Sequence, residues 1–247
     1  MILGKEAHLH AACFDEISTA VDQLLGEAND PRTVVFNAHT FPDRVPPDAI
    51  IYNWENVDVQ VSGVAFPDHE VWDFSIRNTT RWRGPRRDVH HVPVGHHASM
   101  ERFHPLPWNE RDVDVVFTGC MNARRQRVVD ALERHGLKVV TLSTVYGLAR
   151  DQILARAKLA INMLYYEDGT FAVLRTAHYA ANSIAAVSEA ANEAPAWAYP
   201  DPVPYARIVD SCRELLQGGE EALVGTSVEA LRRFREHPLR LPEQSGR

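Results

Sequence analysis

VDVVFTGCMNARR, residues 113–125, passes from a run of β-branched and aromatic residues to a glycine and then to a polar, basic segment that continues with helical periodicity. The apolar run predicts a strand over Val113–Thr118, Gly119 a turn, and the segment after it a helix from Asn122 to His135 that Gly136 ends. Strand, tight turn and helix in that order are the building unit of a parallel sheet with crossover helices. The unit recurs downstream. Strands are predicted over 139–142, 159–163 and 184–187, and helices over 149–157 and 171–182. Pro195, Pro200, Pro202 and Pro204 interrupt the alternation. Two further helices, 205–216 and 220–236, and a polar tail with Pro238 and Pro242 follow.

The same alternation runs upstream of residue 113. Strands are expected over 7–12 (AHLHAA), 33–36, 49–53 and 91–94. A helix over 14–25 carries Ile17, Ala20, Val21, Leu24 and Leu25 on one face, and a second over 70–82 turns Val71, Phe74 and Ile76 inward. Residues 101–111, with Pro105 and Pro107, read as a linker. The expected fold is therefore α/β, with two Rossmann-like domains facing each other across a cleft and an abbreviated N-terminal half. Its divisions are 1–104, 105–217 and a C-terminal helix and tail over 218–247.

Composition narrows the function classes. With 247 residues the chain can bury two small cores, and 45% hydrophobic with 24% charged residues is ordinary for a globular protein. A formal charge of -7 argues against bulk electrostatic wrapping of duplex DNA. Cys13, Cys120 and Cys212 are odd in number and lack C-x-x-C spacing, which suggests neither a disulfide framework nor a zinc site and fits a reducing cytoplasm. No apolar run approaches the length of a membrane span or the h-region of a signal peptide, so an unprocessed cytoplasmic protein is expected.

Ligands of open parallel sheets bind outside the carboxyl ends of the strands, beside helix N-termini. After the strand at 113–118 come Gly119, Asn122, Arg124 and Arg125, which put two cations in the first turn of a helix. There they oppose the helix dipole unless an anion sits above them. A diphosphate is such an anion, and the planar guanidinium can hold two of its oxygens. A solvated basic turn is the competing explanation. After the strand at 159–163 comes LYYEDGTFAVLR, residues 164–175, with Tyr165 in the loop, Phe171 at the start of the next helix and Arg175 one turn inside it, within reach of the same strand ends. Ser188 and Glu189 end the following strand, where a carboxylate can accept from a sugar or ribose hydroxyl or cap a helix. Upstream, His10, His39 and Glu55 fall at or after strand ends and are the candidates to take a proton from an acceptor hydroxyl.

The segment from FTGCMNARR through VYGLARDQILARAKLAINMLYYEDGTFAVLRTAHYAANSIAAVSE resembles the donor-binding half of GT-B-fold glycosyltransferases of the large retaining family that uses nucleotide sugars. IYNWEN, VWDFSIRN and HVPVG resemble the corresponding acceptor-side segments, so the likeness covers roughly residues 49–189. The resemblance implies a glycosyltransferase that uses a UDP- or GDP-linked sugar as donor substrate and holds no permanent cofactor. It further implies Arg124, Arg125 and Arg175 near the phosphates and Tyr146 and Gly147 near the base. The reaction it implies is metal-independent, with the arginines stabilising the departing diphosphate. The family's pair of glutamates seven residues apart is absent, since Ala172, Arg175 and Ala177 stand where a helix-borne acid is expected.

His8 with His10, His90 with His91 and His96 with His97 raise a metal site, but none accompanies an H-E-x-x-H helix or an acidic triad, and neighbours on a strand face opposite ways, so no metal is expected. No G-x-S-x-G elbow marks a hydrolase. The basic stretch 77–87 is a solvated helix end or a patch for a polymeric acceptor. The acceptor is an unknown small molecule, glycan or polymer. The alternatives are a catalytically silent nucleotide-sugar or nucleic-acid binding module of the same fold, and an accessory subunit completed by a partner.

Overall fold

In the computed structural model, the described residues are 15–55, 66, 68–82 and 88–242. The strand expected over 7–12, with His8 and His10, lies outside them, as do residues 56–65 and the basic residues 83–87. The described residues fall into two compact units, one up to Val94 together with 239–242 and the other Gly95–Pro238.

The first unit begins with α1 (Asp15–Glu27), whose Ile17, Ala20, Val21 and Leu25 are buried as the periodicity requires. Then come β1 (Val34–Phe36), β2 (Ile50–Asn53), β3 (Val71–Asp73), α2 (Ile76–Trp82) and β4 (Val89–His91). The four strands pair in parallel in the order β1-β2-β3-β4. One face packs Val35, Ile51, Val71 and Val89 with Trp82. On the other, the Phe36, Tyr52, Trp54 and Trp72 rings meet at centroid distances of 4.5–5.7 Å, and the buried Tyr52 hydroxyl donates to the Val92 carbonyl at 2.8 Å.

Residues 70–82 are not one helix. Val71–Asp73 is a buried strand in register with β2, and the helix starts only at Ile76. The cause is local capping chemistry: Asp73 Oδ1 accepts from Ser75 N, and Ser75 Oγ accepts from Asn78 N three residues on, fixing the helix start. Ile76, expected inward, is 59% exposed, because the helix begins where the phase of the apolar pattern has already been used by the strand. The strand expected over 91–94 is observed at Val89–His91, ending before Pro93.

The second unit contains β5 (Val113–Thr118), α3 (Ala123–Arg134), β6 (Val139–Leu142), α4 (Gly147–Ala155), β7 (Ala157–Asn162), α5 (Val173–Ala181), β8 (Ala186–Ser188), α6 (Ile208–Gln217) and α7 (Gly219–Arg235). Its sheet is parallel in the order β6-β5-β7-β8. Val115, Phe117, Leu159 and Ile161 pack against Val128 and Leu132 of α3 and Ile208 and Cys212 of α6. On the other face Val116, Ala160 and Ala186 meet Leu154 of α4 and Tyr179 of α5. Burial on both faces explains why β5 and β7 read as nearly continuous apolar runs.

Residues 100–103, at the start of the linker expected over 101–111, are tied to this unit by Asn182, which is 1% exposed. Its Oδ1 accepts from Arg102 N at 2.6 Å and Phe103 N at 3.0 Å, and its Nδ2 donates to the Met100 and His178 carbonyls. Beside it His178 Nε2 lies 3.0 Å from Asp151 Oδ1, and Arg102 and Arg150 pair with the same carboxylate.

Candidate functional site

The strand order of the second unit has a reversal. From β5 the chain crosses to β6 on one side, then returns past β5 to β7 and on to β8. Open α/β sheets place ligands at such a reversal, outside the carboxyl ends of the strands, and here it falls between the loops leaving β5 and β7. These loops are 119–122 and 163–172.

Gly119 follows β5 with φ 139°, a backbone region that side-chain-bearing residues rarely adopt. A Cβ at this position would stand 2.6 Å from Arg175 Nη2. The glycine thus serves both the turn and the approach of the guanidinium. Arg175, on the first turn of α5, donates through Nη1 to Asn162 Oδ1 at 2.9 Å and to the Met163 carbonyl at 3.3 Å. Its guanidinium lies 4.9 Å from the centre of the Phe117 ring. Asn162, at the end of β7, is fully buried, and its Nδ2 has no hydrogen-bond partner among the described residues.

Arg125 is 4% exposed. Its Nε, Nη1 and Nη2 donate to the carbonyls of Leu164, Cys120 and Met163, all at the same strand ends. Its guanidinium lies 4.9 Å from the Phe117 ring centre and 5.1 Å from that of Tyr165. Burial, and then the like charge of Arg175, push its pKa down from the usual guanidinium value. Burial lowers that of Arg175 as well. Three carbonyls hold Arg125 in place at the strand ends, with its donors facing the protein.

Arg124 makes different contacts. Nη1 donates to Glu189 Oε2 at 2.8 Å and Nη2 to Glu189 Oε1, a two-pronged ion pair in which the carboxylate is 3% exposed. The guanidinium rests 3.9 Å from the Tyr205 ring centre, and the Tyr205 hydroxyl donates to the Arg124 carbonyl. Hydrogen bonding to Glu189 raises the Arg124 pKa, the reverse of its neighbour. Glu189 Oε2 also accepts from Leu164 N at 2.8 Å.

The structure thus brings Gly119, Asn122, Arg124, Arg125, Tyr165, Arg175 and Glu189 to the ends of β5, β7 and β8. Asn122 caps α3 by accepting from Arg125 N and holds the loop by donating from Nδ2 to the Tyr165 carbonyl. Tyr165 and Tyr166 are exposed and meet edge to face. Phe171 is 1% exposed, so its ring belongs to the core. Ser188 is buried at the end of β8. Tyr146 and Gly147 begin α4 after the edge strand β6, with Gly147 at φ 57°. In the first unit, His39 lies in a short 3-10 turn after β1, and the Glu55 carbonyl accepts from Asn53 and Asn78. His10 lies outside the described residues.

Sequence reasoning passed over Asn162 and Tyr205. A polar residue ending the apolar run LAIN was the available signal for the first. Nothing local marked Tyr205, which reaches Arg124 from 81 residues away. Among the described residues no group of three or more His, Cys, Asp or Glu side chains is placed to hold a metal ion, and no helix is long and apolar enough to cross a membrane.

No protein-family model matches the chain. Segments of it are similar to uncharacterized proteins of Acanthamoeba polyphaga mimivirus: L138, 33% identical over 81 residues, covering 32% of this chain and 9% of that protein, and L140, 27% identical over 99 residues, covering 38% and 31%. The chain therefore spans a third or less of the length of these curated relatives. Among solved structures, it is similar to the GtfA/B complex bound to UDP and GlcNAc, with a TM-score of 0.37, 8% identity and coverage of 88% of this chain and 57% of that one. It is also similar to accessory secretory protein 1,2 and 3 in Streptococcus pneumoniae, with a TM-score of 0.42, 7% identity and coverage of 90% and 54%. Acinetobacter baumannii MurG gives a TM-score of 0.40, 12% identity and coverage of 90% and 73%. At such values the site must be read from its own residues.

Proposed function

We propose that the second unit binds the diphosphate of a nucleotide sugar in the crevice between β5 and β7, and that the protein transfers the glycosyl group to an acceptor hydroxyl. The observation that carries the reading is a charge imbalance. Among the described residues Arg125 and Arg175 have no ion-pair partner; their hydrogen bonds go only to carbonyls and one amide. Glu189, whose charge Arg125 feels, is already engaged by Arg124. Arg125 is buried and Arg175 half-buried; cations so placed without a counterion are costly, and an anion in the crevice offsets that cost. Arg175 Nη2, which makes no hydrogen bond among the described residues, supplies the directed contact. In transfer, the same charge stabilises the departing diphosphate. The exposed Tyr165 and Tyr166 rings at the crevice offer faces for a nucleobase.

The test is titration with uridine and guanosine diphosphates in the absence of divalent metal, followed by a panel of donor sugars. A nucleotide-dependent rise in melting temperature that Arg175→Gln removes, with glycosyl transfer or slow donor hydrolysis, supports the reading. The absence of any nucleotide-dependent shift rules it out. Binding without turnover selects the catalytically silent module, a reading favoured by one observation: the carboxylate at the site, Glu189, has both oxygens occupied.

A further inference from the structure

Arg124 and Arg175 both carry a guanidinium to the carboxyl ends of the second sheet, yet they stand in opposite electrostatic situations. Arg175 meets only neutral acceptors. Arg124 is held by Glu189 with both prongs, is flanked by the Tyr205 ring at 3.9 Å, and has its own carbonyl taken by the Tyr205 hydroxyl. Glu189 is in turn held by the backbone N–H of Leu164. The ion pair therefore fastens three segments together: the start of α3, the loop after β7 and the end of β8.

We propose that Arg124 is a positioning residue, which neutralises Glu189 beside the anion crevice, and that it makes no contact with the bound anion. This rests on the anion-binding reading of the crevice above. The logic is one of charge. With Glu189 cancelled by Arg124, the strand ends present the charges of Arg125 and Arg175 to the ligand. Removing Arg124 alone exposes an uncompensated carboxylate next to that ligand, and the repulsion is strong because the Glu189 side chain is only 3% exposed. Removing both charges of the pair restores the original balance. A residue that touched the anion would behave otherwise, since its loss could not be repaired by neutralising Glu189.

The experiment compares the wild type, Arg124→Ala, Glu189→Gln and the Arg124→Ala/Glu189→Gln double variant. Affinity for uridine diphosphate and, separately, for inorganic pyrophosphate is measured by calorimetry in low salt, with the melting temperature of each protein recorded. Arg124→Ala is expected to weaken binding by roughly 30-fold or more, as a like charge beside a desolvated ligand does. The double variant is expected within about 3-fold of wild type. Glu189→Gln alone is expected to bind as tightly as wild type or more so. A double variant that melts near the wild-type temperature but binds as weakly as Arg124→Ala overturns the proposal and places Arg124 on the anion. Weaker binding by Glu189→Gln overturns it too, by placing Glu189 on the ligand. If the wild type binds neither probe, the anion site itself is withdrawn, an outcome separate from failure of the rescue. Should Arg124→Ala not fold, the double variant and Glu189→Gln still decide the matter.

Discussion

Asn162 Oδ1 accepts a hydrogen bond from Arg175 Nη1 at 2.9 Å, while the Nδ2 of the same buried amide has no partner among the described residues. The amide orients the guanidinium without cancelling its charge. An aspartate of nearly the same shape would keep the hydrogen bond and add the missing counterion. Asn162→Asp is therefore expected to fold with a melting temperature at or above that of wild type and to lose about 10- to 100-fold in affinity for a nucleoside diphosphate. Calorimetric titration beside thermal denaturation checks both halves, and undiminished affinity would show that Arg175 does not serve the ligand.

Gly119 is constrained twice, by φ 139° and by the 2.6 Å between a Cβ and Arg175 Nη2. Gly119→Ala is expected to cost about 1–3 kcal/mol of stability from the backbone strain and to displace the guanidinium from the crevice. Gly136 also has a positive φ, of 78°, but no atom stands within 4 Å of its Cβ position. Gly136→Ala should then show only the strain, with ligand affinity intact. Denaturant titrations and binding isotherms on the two variants separate the effects.

Asp73 ends β3 as a fully buried carboxyl whose oxygens accept from Ser75, Asn53, Trp82 and Asn78. Burial raises its pKa to about 6, against the opposing pull of those four donors. The folded state then binds this proton more tightly than the unfolded chain does. Its contribution to stability is fully present below the unfolded value of 3.8 and is lost as pH rises through about 6. At most about 3 kcal/mol is at stake, from roughly two pKa units. Asp73→Asn, less stable overall because its amide faces donors, is expected to lose this slope. Unfolding free energies measured at several values between pH 4 and 7 for both proteins test it, and parallel profiles would contradict it.

Asn182 satisfies two backbone N–H groups and two carbonyls that lie 79–82 residues apart from it or on its own helix. Replacing it with alanine leaves the N–H groups of Arg102 and Phe103 without their acceptor. Asn182→Ala should destabilise the second unit by about 2–4 kcal/mol and expose the 100–103 segment to proteolysis. Hydrogen exchange at these two amides reads the effect directly.

Much of the alternation was legible because it is a short-range property. The run VDVVFT, the glycine after it and the periodic ARRQRVVDALER needed no distant information, and β5 and α3 fall at or within a residue of the expected bounds. The segment 70–82 misled because an apolar pattern of three residues fits a strand and a helix alike. The deciding signal was Ser75 with Asn78, a cap spacing rather than a hydrophobic one. In the site, the nature of each residue pointed to an anion, but Arg124, Arg125 and Arg175 were indistinguishable as letters. Their difference lies chiefly in partners distant along the chain, Asn162 for Arg175 and Glu189 for Arg124, 13 and 65 residues away.

What the sequence by itself determined is the parallel α/β alternation, through apolar runs and turn residues, and the delivery of three arginines to strand ends, since their distance from those ends along the chain is fixed by covalent geometry. Only the tertiary structure decided which of them retains its charge. That depends on β8 lying beside β7, which sets Glu189 against Arg124 and leaves Arg175 against the Asn162 amide. A guanidinium's electrostatic role is settled by the charge of what it touches, and strand order, which no local signal encodes, settles what it touches.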